Sequence, residues 1–259
     1  MKFKYNMCRS FLLIFLMGLS ASLFGQVNQT DAKGKKQGKW IRYYANSKDK
    51  RYEGEFKDDK PIGKFIYYYP SGKVRAIITH DKVGDRSKAF YYFENDTLAS
   101  VGIYRGENKD SVWVNFLPSG WPSTKETFNN GKLEGERITY YGEEVSEDGK
   151  TLIILRKENY KNDQLNGPFV EYFPDGVIRA EGNYLNGRLN GTVVRNHPNG
   201  KVMIRERWKY RNKHGWWETY DINGTLLGKK FYLKGQELEG EELDKYLQEC
   251  KAKGVNPNN

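Results

Sequence analysis

The sequence predicts an all-β fold: an elongated single sheet of about eight β-hairpin repeats, closed by a short C-terminal capping helix. Three observations carry this. One phrase recurs with its first residue at Gly38, Gly63, Ser87, Ser111, Gly135, Gly167, Gly191 and Gly215, at intervals of 24 or 25 residues with one of 32. A period of this size marks a stacked array whose units bury their apolar faces on one another. Within each copy, β-branched and aromatic residues fill the positions of a strand. Between strands stand Pro70-Ser71-Gly72, Pro118-Ser119-Gly120, Pro174-Asp175-Gly176 and Pro198-Asn199-Gly200, each pairing a fixed proline φ with a glycine able to take positive φ.

The elements follow in order. Residues 1–25 read as a cleaved signal peptide: Lys2, Lys4 and Arg9 precede the apolar run Phe11 to Leu19, and small residues up to Gly25 suit a signal peptidase. That run falls short of the roughly 20 residues a membrane span needs, so the chain is expected to be exported, beginning at Gln26. Residues 26–37 are a lead-in and 38–238 the array. Within it, 142–159 form a longer hairpin tipped by Glu143, Glu144, Glu147 and Asp148. Residues 239–253 switch to helical spacing, with Leu243, Tyr246, Leu247 and Cys250 on one stripe, and 254–259 are a tail. Cys250 is the single cysteine after position 25, so stability rests on packing, not a disulfide.

Counting the first residue of each copy as zero, position +3 carries Ile41, Ile66, Phe90, Val114, Ile138, Val170, Val194 and Glu218, and +5 is mostly Tyr or Phe. Residues two apart share a strand face, so this row is expected to point inward, with Tyr172 one of its buried aromatics. Positions +2 and +6 then form the opposite face. Its +6 aromatics Tyr44, Tyr69, Phe93, Tyr141 and Phe173 are the candidate partner-binding stripe, because such rings supply contact area at small entropic cost. Each second strand ends on an aromatic, such as Phe56, Tyr104 or Trp208, a slot that His80 takes in the second unit.

Gly63-Lys-Phe65-Ile-Tyr-Tyr68-Tyr69-Pro-Ser-Gly72 and Glu181-Gly182-Asn-Tyr184-Leu-Asn-Gly187-Arg-Leu-Asn-Gly191 resemble the MORN-repeat family, in its bacterial antitoxin-like variant. The resemblance spans residues 34 to 238. It implies a single sheet of successive hairpins used for protein contacts or, in some members, lipid contacts. The third unit departs most, with Ser87 and Ala89 in place of the glycine and the aromatic.

No nucleophile motif, phosphate loop or dinucleotide fingerprint is present, so neither catalytic residues nor a cofactor is expected, and no small-molecule substrate. His80, His197 and His214 lie far apart in the repeat register and predict no metal centre. The acidic tip lacks the alternating ligand spacing of a calcium loop. It is the second candidate binding site. The net charge of +10, with Lys33, Lys35, Lys36 and Lys39 crowded together, suits a solvated surface; export argues against nucleic acid. The expected function is a non-enzymatic, periplasmic or outer-membrane-associated scaffold for protein–protein interaction in a bacterial cell envelope. Binding of anionic lipid or polysaccharide is the alternative, and antitoxin-like neutralisation of a partner protein the second.

Overall fold

The computed structural model describes residues 26–81, 85–145 and 152–258. The expected signal peptide, Glu147 and Asp148 lie outside the described residues, as does the side chain of Glu144. Successive antiparallel hairpins run from Lys36–Tyr43 with Lys50–Lys57 to Gly215–Tyr220 with Leu226–Leu233, one for each of the eight copies. The longest strand, Lys132–Val145, pairs with Leu152–Lys161, where the fifth copy carries its insertion. All pair edge to edge in one open sheet, as the repeat predicts.

Two irregularities recur along the array, the first in all eight units and the second in seven, and bend the sheet. Between +4 and +5 the partner strand carries one extra residue: Arg51 in the first unit, Arg75 in the second, Ala99 in the third. Such bulges increase local twist and bend the strand. The second lies at position zero, where the backbone adopts positive φ at Gly38, Gly63, Ser111, Gly135, Gly167, Gly191 and Gly215; glycine takes that conformation without steric cost. Ser87 is the exception. It stays in extended backbone, and the ladder between Val74–His80 and Arg86–Tyr92 runs without a register shift. Position zero of the repeat phrase therefore carries a kink, which Ser111 keeps without a glycine, and the unit that lacks the positive φ, at Ser87, is regular at that junction.

Both ends of the array are covered. Gln29–Thr30 pairs with the start of the first hairpin, and Asn28 Oδ1 accepts the Ile41 N–H. At the other end Gln236–Leu238 supplies the last strand. The helix, Gly240–Ala252, buries Cys250 and stacks Tyr246 against Phe231, with ring centroids 5.5 Å apart. The chain then folds back so that Asn258 Oδ1 accepts the Trp216 N–H at 3.0 Å.

The expected inward face requires correction. The most buried large side chains are Phe65, Trp113 and Val193 at +2, together with Phe231. The +3 residues, and Tyr172 at +5, are only half-buried, and Tyr43 at +5 is 47 % exposed. The +2 row is thus the core, and +3/+5 faces outward. Continuity of the apolar row suggested the reverse; the bends decide which side closes.

Candidate binding faces

The core face is built from complementary pairs eleven residues apart in the chain, each joining one unit's second strand to the next unit's first. Gly54 lies under Phe65 and Gly102 under Trp113; a Cβ on Gly102 would fall 2.1 Å from the indole. Ile78 lies opposite Ala89, reversing large and small, and Gly182 lies under Val193 and Phe169. Glu126 lies opposite Arg137 and makes an ion pair with it at 3.3 Å. The sequence contains this signal, as a covariation of size and charge at a fixed offset, but no single strand displays it.

In the middle of the array the same face becomes polar. Glu158, 8 % exposed at its side chain, accepts from Tyr160 Oη at 2.9 Å and forms ion pairs with Arg156 Nε at 2.6 Å and Arg137 Nη1 at 3.6 Å. Arg156 continues to Glu171 at 2.5 Å, while Asn115 Nδ2 donates to Glu126 at 3.0 Å. Arg195 pairs with Glu206 at 3.1 Å one unit further on. Buried charges persist only when paired and hydrogen-bonded, and here each acid bridges strands. The chain of contacts is a cross-strand brace.

Tyr44, Tyr69, Phe93 and Phe173 stand at the first residue past the end of their strands, whereas Tyr141 lies within the long strand Lys132–Val145. Tyr44 Oη donates to Tyr68 O at 2.6 Å, Tyr69 Oη to Tyr92 O at 2.8 Å and Tyr141 Oη to Tyr172 O at 2.7 Å. His197 reaches Tyr220 O in the same way at 3.1 Å. Each polar tip thus ties its own unit to the +5 carbonyl of the following one. Phe93 and Phe173 lack a hydroxyl but share the half-buried position, the latter beneath the Arg179 guanidinium. All five are half-buried. Of the acidic hairpin, Glu143 is exposed.

The outward face presents one patch that sequence reading missed. Ile66, Ile77, Phe90, Val101 and Val114 are direct cross-strand neighbours over five consecutive strands. Beyond Val114 the same line alternates with charge: Lys125, Ile138, Lys157, Val170, Glu181, Val194, Arg205. It is flanked at one end by Lys50–Glu53–Tyr68, where burial and then the hydrogen bond to Glu53 push the Tyr68 phenol up to about 12. The pattern was legible only once second-strand residues Ile77 and Val101 were placed between the +3 positions.

His80 occupies its aromatic slot as a packing residue: its ring lies edge-on to Phe65 at 5.3 Å, and Nδ1 is 2.8 Å from Ser87 Oγ. Burial holds its pKa below the usual 6.5. The unfolded chain therefore takes up the proton more readily, and this contribution to stability is lost as pH falls from about 6.5 through the lower folded value. We expect His80→Phe to lose less thermal stability than the parent chain between pH 7.5 and 5.5. Equal losses would remove His80 as the cause. Among the described residues no three His, Cys, Asp or Glu side chains are grouped to hold a metal ion, and no helix is long and apolar enough to cross a membrane.

The family model described as MORN repeat variant matches residues 61–82 and 165–186, the second and sixth units. MORN repeats are generally involved in protein or membrane-lipid binding and are not enzymes. No curated protein matches the chain. Among solved structures, a mutant of S. aureus TarM in complex with fondaparinux, α-GlcNAc-glycerol and UDP aligns at 12 % identity and a TM-score of 0.19, over 52 % of this chain and 20 % of that one. A second TarM structure aligns at 13 % identity and a TM-score of 0.18, over 49 % of this chain and 18 % of that one. The aligned part thus spans about a fifth of those chains, too slight a likeness to carry fold or function.

Proposed function

We infer that this chain, which carries MORN-variant repeats, is a non-catalytic scaffold that binds a protein partner on its outward face, at the patch Ile66–Ile77–Phe90–Val101–Val114. The observation that carries the reading is the continuity of that patch over five strands on a face that the rest of the array leaves charged. The five side chains are half-buried, so each leaves part of its apolar surface open, and a contiguous accessible apolar patch marks an interaction site. At the last unit the chain's own helix meets the sheet through Tyr246 and Phe231, which shows the kind of contact such a sheet accepts. The apolar run between Phe11 and Leu19 supports export, and we place the scaffold in a bacterial cell envelope.

The test is site-specific photo-crosslinking in cells. A photoreactive residue at Ile77 or Val101 is expected to form adducts with one discrete protein, while the same probe at the turn residue Asn95 forms none. Adducts should persist at high salt, because an apolar contact is not screened. Adducts equal at all three positions would end the docking assignment. Recovered protein should begin near Gln26; an intact Met1 would end the export assignment.

A further inference from the structure

On the core face, at the junction of the first two hairpins, an open groove of about 440 Å³ is lined by Arg42, Arg51 and Arg75, with Lys36 at one side and Trp40, Tyr52 and Tyr67 among them. Its charge is unbalanced. Among the described residues none of these three arginines makes an ion pair or a side-chain hydrogen bond. In the middle of the same face the arginines behave differently: Arg137, Arg156 and Arg195 are each held by a glutamate. The difference originates in sequence. The second-strand position that holds Glu126, Glu158 and Glu206 in the fourth, fifth and seventh units holds Gly54 and Ile78 in the first two. The Lys36 ammonium is the exception in being engaged, over the rings of Trp40 and Phe56 at 5.2 and 4.8 Å.

We propose that this groove binds an acidic oligosaccharide of the uronate type. Guanidinium groups match carboxylate geometry with paired N–H donors, and three of them stand unengaged around one hollow. The floor adds a second chemistry. Tyr52 and Tyr67 lie side by side with ring centroids 5.8 Å apart, offering apolar faces for the C–H faces of a sugar and hydroxyls for its hydroxyls. A bare oxyanion would use no rings. A lipid headgroup site calls for an apolar rim that enters the bilayer, and none of the large exposed apolar side chains lines this groove. Single-stranded nucleic acid also uses rings and cations, but along a continuous track of several nucleotides. Here the positive track stops where Glu126, Glu158 and Glu206 neutralise the face. The groove lies on the opposite face from the apolar patch, so the two assignments fail independently.

The experiment is calorimetric titration of the whole chain with tetragalacturonate at low salt, against matched-charge tetraglutamate and oligothymidylate and against phosphatidylglycerol vesicles. Tetragalacturonate is expected to bind more tightly than each of the others, and more weakly as salt is raised. Arg42→Gln with Arg75→Gln should lower that affinity at least tenfold without shifting the melting temperature, since both side chains are exposed and unpaired. Arg188→Gln, an exposed arginine on the short strand Arg188–Leu189 that follows the sixth unit, should leave it unchanged. Tetraglutamate, oligothymidylate or vesicles binding as tightly as the saccharide would overturn the carbohydrate assignment. Unchanged affinity in the folded Arg42/Arg75 double variant would overturn the site.

Discussion

Gly102→Ile should cripple the array, and Trp113→Ala should rescue it. A Cβ at Gly102 would lie 2.1 Å from the Trp113 indole, which is 1 % exposed and cannot swing into solvent. Overpacking of a rigid core costs about 1–3 kcal/mol and occasionally more, and an aromatic wedged under a branched side chain belongs at the upper end. Trp113→Ala alone should cost about 3–5 kcal/mol through lost burial and a cavity. The double variant recreates the Ile78–Ala89 pair that the chain already uses one junction earlier. It should therefore be less destabilised than the sum of the singles by at least about 2 kcal/mol, within the range found for residues in contact. Denaturant unfolding of the four chains measures this coupling. Because each unit stabilises mainly its neighbours, hydrogen exchange should place the damage in the third and fourth units first. Additive costs would show that the two positions do not share one volume.

Glu158→Leu is the second large effect. The carboxylate meets Arg137, Arg156 and the Tyr160 hydroxyl while remaining 8 % exposed. Removing one member of a buried ion pair leaves charge uncompensated and costs about 3–5 kcal/mol. We expect about 3 kcal/mol, the lower end, because Arg137 and Arg156 retain 31 % and 24 % exposure and still have Glu126 and Glu171. Glu158→Gln should cost less, since the amide oxygen can still accept from Tyr160. A Leu variant as stable as the parent would mean that the brace contributes nothing to folding. A Gln variant worse than Leu would mean that the amide's own donors are stranded there.

The two central positions explain how far the sequence can be read. Repeat number, hairpin order and the strand-turn alternation follow from local residue chemistry: a proline and a glycine at each turn, β-branched and aromatic residues between them, and a helical stripe ending at Cys250. These are short-range properties, and each survives as read. The candidate sites were less legible. The +6 aromatics look like a recognition stripe in one dimension, yet Tyr44, Tyr69 and Tyr141 spend their hydroxyls on the neighbouring unit's carbonyls, contacts set by the stacking of units and not by any one strand.

Sequence by itself determined the hairpin array and its period, the cationic N-terminal end and the closing helix. Tertiary structure alone decided which face is core. Both faces carry aromatic and branched side chains, so hydrophobic pattern leaves the choice open. The choice falls to kinks at the positive-φ residues of position zero and to the bulges beside each turn, which bend the sheet. Burial then goes to the side where a large residue meets a small one on the adjoining strand: Phe65 on Gly54, Trp113 on Gly102, Ala89 on Ile78. Close packing across strands is a property of pairs of segments, and it exists only after the strands have been set side by side.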